Sequence, residues 1–408
     1  MEAIKNLMGI KLVKFSIAIL FALVILPSNM KAIAILIFGI TTLSLLIRRK
    51  WSFDRNFFIT NGLFYLVVAI TYLYSDNTEY AIKKLQTMAS LLVFPFIFAM
   101  ISKQEMKSIF KNECKYLWIY IASVFLFTTV TFIWFFVTKY SWIEMMVHFQ
   151  TVLMEKIGKF NIHPIYVSMH CSAAILCSFY LLKKVKSKFW IVVLLLMDSV
   201  LLSFLLLFAK KGPIIALLVV FTLYILFQYK KGYFKLYLLA AGMLVVLTIA
   251  IPKTRERFVE LFSIENLDKG SVTSTNIRYT IYVTAKNLIA QNPITGYGIG
   301  DYNYVLKDKY KEDGHSILQE GAYNAHNQYL SMMLIGGIFL VIAFIFMFGM
   351  NMVYAIRFNN QLFILLIVFY SIVMFTENIL EREDGVIFFA FFLNFFALKS
   401  LYVREEEA

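Results

Sequence analysis

One histidine stands where a polar stretch enters a long apolar run. Ala325-His326-Asn327-Gln328-Tyr329-Leu330 leads into Ser331-Met332-Met333-Leu334-Ile335-Gly336-Gly337. An imidazole at that junction can take or give a proton near neutral pH. The competing reading is an interfacial residue or a helix cap. Tyr329 lies three residues on, within reach of the same region. Basic residues that would face the same compartment sharpen the first reading. Lys210-Lys211-Gly212-Pro213 fills a very short turn between two apolar runs. Adjacent lysines there suit a phosphate ligand at headgroup depth, or lysines snorkelling to lipid phosphates. Arg278, in Asn276-Ile277-Arg278-Tyr279, and the Lys83-Lys84 pair join this set. His163-Pro164-Ile165-Tyr166 opens another apolar run, with proline suited to a first helical turn. His170 would share that face two turns later, too far away for both histidines to hold one metal.

Other residues carry weaker signals. Gly296-Tyr297-Gly298-Ile299-Gly300 lacks the spacing of a nucleotide loop and suits a tight turn where backbone passes closely. Asp198 falls in the middle of an apolar run, where a carboxyl is functional, protonated or paired with a neighbouring helix. Glu377, Glu381, Arg382, Glu383 and Asp384 cluster in a late turn and could help bind an acceptor or pair with lysines. Asp308, Glu312, Asp313 and His315 form an acidic knot, a poor candidate for metal. Cys114, Cys171 and Cys177 suggest neither a disulfide framework nor a metal site. No Walker loop is present, and no early external Asp-x-Asp of the kind a metal-dependent membrane glycosyltransferase would carry. Neither cofactor nor metal is called for.

The elements that must position these residues follow from composition. The chain has 408 residues, 60% of them hydrophobic and 16% charged. Continuous apolar runs of about 17–25 residues recur, the length that crosses a bilayer as helix, whereas a membrane β-barrel would show alternation. The fold class is therefore an all-α polytopic membrane protein. Twelve spans are expected, near 12–27, 31–47, 57–74, 85–101, 117–138, 164–182, 189–208, 213–228, 233–251, 326–350, 361–378 and 385–402. Lys5, Lys11 and Lys14 lead into the first span rather than a cleaved leader. With the N-terminus inside, short inner segments hold 21 Lys and Arg and short outer ones 9. That bias puts both termini in the cytoplasm. The net charge of +14 is thus topological, or an attraction to anionic lipid, and does not imply nucleic-acid binding. Three regions result: spans one to nine (1–251), a large, partly helical external loop (252–325), and spans ten to twelve with a short tail (326–408). Residues 139–163 form a smaller amphipathic external segment, lying on the membrane surface or packed on the bundle.

This arrangement resembles the O-antigen ligase and O-antigen polymerase superfamily of bacterial envelope enzymes. The likeness covers most of the chain in topology. In motif it is concentrated in 276–337: Arg278, then Pro293-Ile294-Thr295-Gly296-Tyr297-Gly298-Ile299-Gly300, then His326-Asn327-Gln328-Tyr329-Leu330 and Gly336-Gly337. His163-Pro164-Ile165-Tyr166 also looks like family members. One departure concerns a Ser-Arg-Gly triplet frequent in the family, which reads Lys210-Lys211-Gly212 here. Lysine keeps the charge but loses the planar fork of arginine. The resemblance implies an inner-membrane enzyme with a periplasmic active site. It implies metal-free, inverting transfer of a glycan from undecaprenyl diphosphate to an acceptor hydroxyl. His326 would be the base and Arg278 the partner of the leaving diphosphate. Lys210, Lys211, Lys83, Lys84, Tyr329 and His163 would bind diphosphate or glycan.

Three readings compete. A ligase moves a finished glycan to lipid A core or to a protein Ser/Thr. A polymerase uses a second lipid-linked glycan as acceptor. A transporter or flippase of lipid-linked sugars would instead show inverted repeats and broken helices with midplane polar residues. Asp198 is the one clear midplane charge and no repeat is seen, so the expectation leans to a ligase.

Overall fold

Apolar runs fold as helix in a bilayer because hydrocarbon offers a backbone amide no partner except its own chain. The computed structural model describes residues 2–46, 52–155, 162–227, 234–262, 264 and 272–402. The first half comprises α1 (Glu2–Phe21), α2 (Ser28–Leu46), α3 (Arg55–Ile70), α4 (Thr78–Met88), α5 (Ser90–Ala99), α6 (Lys103–Phe110), α7 (Glu113–Thr138), α8 (Trp142–Glu155) and α9 (Pro164–Leu182). The paired helices α10 (Lys188–Phe208), α11 (Lys211–Phe227) and α12 (Phe234–Ala250) follow. The expected large loop holds α13 (Pro252–Val259), α14 (Ser274–Gln291), α15 (Tyr302–Glu312) and α16 (Ser316–Glu320). The chain closes with α17 (Gln328–Arg357), α18 (Gln361–Val373) and α19 (Glu383–Tyr402).

Among the described residues, seven helices are long and apolar enough to cross a membrane, or nine if each of two bent pairs is one span. The bent pairs are α4 with α5, at 41°, and α12 with α13, at 89°. Each of the twelve expected runs contains helix among the described residues, but α1 carries charges along its length, α11 and α18 are short, and α18 ends at Val373, before the expected end at 378. The chain is a multi-pass α-helical membrane protein. Two helices that are apolar all round form its centre, as such helices must. Every residue of α9 is buried, and it packs against α7, α10 and α18. Nearly all of α19 is buried too, against α5 and α17. At one end of this core Lys399 donates to Glu113 (2.7 Å) and to the Tyr180 hydroxyl (2.9 Å), joining α19, α7 and α9. The candidate site lies at the opposite ends of these helices.

A single backbone device ties the 252–325 region to the bundle. α17 is broken at Gly336 and Gly337, whose dihedrals are not helical. The break leaves the carbonyls of Leu334 and Ile335 without their helical donors. Tyr297 N donates to Leu334 O (2.7 Å) and Gly298 N to Ile335 O (2.9 Å). In return Ile338 N donates to Pro293 O (3.0 Å). The same glycine segment is held from its other side, because Ile299 N donates to Thr71 Oγ1 and Gly300 N to Ser75 Oγ. Asp301 accepts from the amides of Asp76 and Asn77. The Gly-Tyr-Gly-Ile-Gly run is thus the close backbone passage its composition suggests. Gly337 has φ +57°, and a Cβ there would stand 2.2 Å from Ile294 O. Replacing Gly337 by Ala should cost about 1–3 kcal/mol in backbone strain before the clash is counted. Thermal unfolding of purified protein in detergent should show a lowered midpoint, while Gly349→Ala, where a Cβ meets nothing within 4 Å, should not.

Candidate active site

Five helix ends meet at one place. The turn between α10 and α11 begins with Ala209 in a left-handed conformation (φ +49°), which ends α10, so that Lys210 lies in the turn and Lys211 opens α11. Gly212 follows, and a Cβ on it would lie 2.2 Å from Thr376 Oγ1. The first turn of α11 and the turn after α18 are therefore in close contact. The sharp bend after α12 turns α13 across this end, carrying Lys253 and Arg257 one helical turn apart. Thr273 caps α14 by accepting from Asn276 N (3.1 Å), which starts the helix that bears Ser274 and Arg278. Together Lys210, Lys211, Lys253, Arg257 and Arg278 line a cavity of about 120 Å³, with Gln150, Ser274 and Thr376 adding neutral polar groups.

The histidine lies beside this cluster. Asn327 caps α17, its Oδ1 accepting from the amides of Tyr329 and Leu330, so His326 immediately precedes the cap. Its φ of +43° is unusual for a non-glycine residue and costs of order 1–3 kcal/mol. The surroundings hold it there. Its amide donates to Asn324 Oδ1 (3.1 Å), and its carbonyl lies 3.1 Å from the Tyr282 hydroxyl. That hydroxyl also lies 2.8 Å from Phe375 O. Tyr282 is one turn beyond Arg278 on α14, so one phenol fastens the Arg278 helix, the His326 backbone and the turn after α18. Gln328 adds to the tie, its amide donating to Met374 O (2.8 Å) and its side chain accepting from Leu380 N (2.9 Å).

Glu377 is the anionic centre. Its carboxylate is almost fully buried and lies 3.5 Å from His326 Nδ1. That separation is at the outer limit of hydrogen bonding, so the contact is chiefly electrostatic. Burial alone would raise the Glu377 pKa, but His326, Arg278 and His163 outweigh it and hold the carboxyl below its ordinary value. His163 caps α9, its Nδ1 accepting from Ile165 N (3.3 Å). Burial pushes its pKa down to about 4; Glu377 opposes this, and Lys210, Arg382 and His326 reinforce it. Lys210 is pushed down to about 8, first by burial and then by Arg257 and Arg278. Glu377 is thus the group whose charge couples with His163, Lys210, Arg278 and His326 alike.

The remaining candidates have other partners. Lys211 donates to Thr275 Oγ1 (2.6 Å) and pairs with Glu260 (2.7 Å), so it reaches the cavity already partly neutralised. Lys83 is exposed and pairs with Glu79 (2.6 Å) one turn earlier on α4. Lys84 faces Glu381 at 3.8 Å. Neither lysine lines the basic cavity. Tyr329 donates to Ser371 O (2.8 Å) and packs on Phe375, bracing α17 against α18. Glu381 also accepts from Tyr302, Ser331 and Asn378, and Asp384 pairs with Lys31, so most of the late acidic cluster is engaged within the bundle. Asp198 accepts from Ser178 (2.7 Å) and walls a separate apolar cavity of about 200 Å³. It lies about 18 Å below Lys210 along α10. In the acidic knot, Lys309 pairs with Glu312 and Asp313. Among the described residues no cluster of three or more His, Cys, Asp or Glu is arranged to hold a metal.

Residues 196–345 match the O-antigen ligase family model. The chain matches no curated protein. The matched stretch covers over a third of the chain and includes Lys210, Lys211, Lys253, Arg257, Arg278 and His326. His163 and Glu377 lie outside it. The similarity supports a catalytic role and the handling of lipid-linked glycans. Sequence reading missed Lys253, Arg257 and Tyr282, although the four-residue spacing of the two cations just after Pro252 was a readable sign of one basic helix face.

The depressed pKa of His163 has a stability consequence. Below pH 6.5 the unfolded chain binds a proton there that the folded chain refuses until about pH 4. Stability from this group is therefore complete above its ordinary pKa and lost as pH falls from about 6.5 to 4. His163→Asn, which keeps an N-cap acceptor, should flatten the fall in melting temperature across that window.

Proposed function

We propose that this protein transfers a glycan from a polyprenyl-diphosphate carrier to an acceptor hydroxyl at the outer face of the membrane. We place it with the ligases, the acceptor being lipid A core or a protein hydroxyl. The observation that carries the reading is the contact of His326 with the buried carboxylate of Glu377, whose charge Arg278 also favours, beside a cavity ringed by five cations that include Arg278. The similarity of residues 196–345 to the O-antigen ligase family agrees with it.

The chemistry needs little else. In the donor, the anomeric carbon is bonded to a diphosphate oxygen. As that bond breaks, the diphosphate passes from a diester to a monoester and gains a negative charge. Cations fixed around its site stabilise that change without reorganising. Arg278 offers two parallel donors and Lys210 a compact charge, with Lys253 and Arg257 closing the opposite wall. Lys211 joins them in proportion as the diphosphate competes with Glu260. The acceptor hydroxyl attacks the anomeric carbon from the far side, inverting it. Its proton passes to Nε2 of His326. Glu377, facing Nδ1, keeps the Nδ1 proton in place and stabilises the imidazolium that forms. His163, neutral at pH 7 because it is buried, adds no competing charge.

The test is transfer in proteoliposomes with a polyprenyl-diphosphate glycan as donor and candidate acceptors present. His326→Ala should lower kcat by about 10²–10⁴-fold, and Arg278→Ala by about 10²–10³-fold, in protein that remains folded. Full activity in His326→Ala would overturn the assignment. A ladder of products on the carrier lipid would replace the ligase reading with polymerisation.

Lys210 predicts a separate pH effect. Its proton is lost above about pH 8, so donor affinity should weaken as pH rises through that value. In Lys210→Arg the charge persists, and the alkaline loss of donor affinity should move beyond pH 9.

A further inference from the structure

The helix α8 has two apolar surfaces, and only one is used inside the protein. Met145, Phe149 and Leu153 are buried against the bundle, with Phe149 packed on Phe132, Phe204 and Phe208. Trp142, Ile143 and Met146 are instead 57%, 75% and 42% exposed. Glu144 and Thr151 occupy the opposite, polar side of the helix. An exposed apolar stripe next to a buried one, backed by a polar face, is the pattern of a helix lying in a membrane interface.

The neighbours fix the depth. Trp142 packs edge-on to Phe132 and Phe136 of α7, each at 5.8 Å. Beside it the outer end of α7 exposes Ile133, Trp134 and Val137, continuous with the stripe on α8. Sixteen residues earlier on α7, Trp118 packs against Trp190 of α10. That interval is about 24 Å of helix, close to the thickness of the hydrocarbon. The Trp118–Trp190 pair at one level and the exposed Trp134 and Trp142 at the other therefore sit where aromatic belts sit, one group at each interface. By this measure α8 lies at the outer headgroup boundary.

The same stripe reaches the basic cavity. Gln150, which lines it, is seven residues from Ile143 and four from Met146, on one side of the helix. The Met146 carbonyl accepts from Lys253, another lining residue (3.3 Å). We propose that Ile143, Met146 and Gln150 form a sill seated in the outer leaflet, over which a lipid-borne anionic headgroup enters the cavity without leaving the bilayer. The seating of α8 in lipid stands by itself; the headgroup that crosses it rests on the glycan-transfer reading.

Two measurements separate these parts. In a Cys114→Ser background, the other two cysteines being buried, spin labels are placed at Ile143→Cys and Thr151→Cys in liposomes. The Ile143 label should collide more with oxygen than with a water-soluble nickel chelate, and the Thr151 label the reverse. Equal, water-like behaviour at both positions would overturn the seating. In the transfer assay, Ile143→Asp should raise the KM for the lipid-linked donor about tenfold with kcat retained, a pattern opposite to that of His326→Ala. An unchanged KM would overturn the entry route. If wild-type protein transfers nothing, the glycan-transfer reading fails, and the label accessibilities still judge the sill.

Discussion

A membrane helix cannot leave backbone carbonyls unpaired, and α17 has two that its own turns do not satisfy. The rest of the site depends on how they are satisfied. Tyr297 and Gly298 supply the missing amides, and the segment carrying them is clamped on its other side by Thr71, Ser75 and the backbone of Asp76 and Asn77. This clip is one rigid element away from both principal candidates. Upstream, α14 runs directly into it and carries Arg278. Across it, the first half of α17 leads back to His326 in about two turns. Helix α14 and the first half of α17, nearly fifty positions apart in sequence, are thereby held together by one exchange of hydrogen bonds. Tyr282 then closes the triangle by tying α14 to the His326 backbone. Glycine is demanded at the clip because backbone meets backbone there: a Cβ at Gly296, Gly298 or Gly300 would fall within 2.6 Å of another atom.

The electrostatics of the site differ from those elsewhere in the bundle. Other lysines set within the bundle are matched to a carboxylate: the buried Lys31 to Asp384 and Lys399 to Glu113, and the half-buried Lys84 to Glu381. Such pairs hold helices in register and offer little to a ligand. At the cavity five cations face two carboxylates, Glu260 and Glu377, and Lys210 has no ion pair among the described residues. Burial first, and then the crowding of Arg257 and Arg278, brings the Lys210 pKa down towards 8. An anion would relieve such crowding, which supports the diphosphate site proposed for this cavity.

The sequence made the spans legible, because twenty apolar residues in a row have one physical use. It also pointed to His326, Arg278 and the Lys210-Lys211 turn, since those types at the ends of apolar runs have few other uses. Span count was less legible: α1 mixes charge with apolar residues, and α11 and α18 are too short to be judged by length. Partnership was less legible still. The four-residue spacing of Glu79 and Lys83 was readable as a helix pair, but nothing in the sequence reveals that Glu381, some three hundred residues on, faces Lys84. Glu377 could not be told from its acidic neighbours, because only the fold turns it towards His326 while turning Glu381 towards Tyr302 and Ser331. The fate of Tyr329 was hidden in the same way, since its hydroxyl serves Ser371 across a helix pair.

A broken membrane helix is also a feature of transporters, and the difference lies in where the freed backbone goes. In a transporter the unwound carbonyls and half-helix ends face substrate or ions near the midplane. Here the carbonyls freed by Gly336 and Gly337 are taken by protein amides, and the gap is filled by a loop. The midplane carboxyl of Asp198 is engaged by Ser178 and faces an apolar cavity with no cation on its wall. Asn61 and Asn351 bond to each other (2.7 Å) within the bundle. Charge that could act on a ligand is gathered instead at one end of the helices. A protein that carried a sugar across would need such groups along its path, whereas one that cuts and joins bonds at a headgroup needs them in one place.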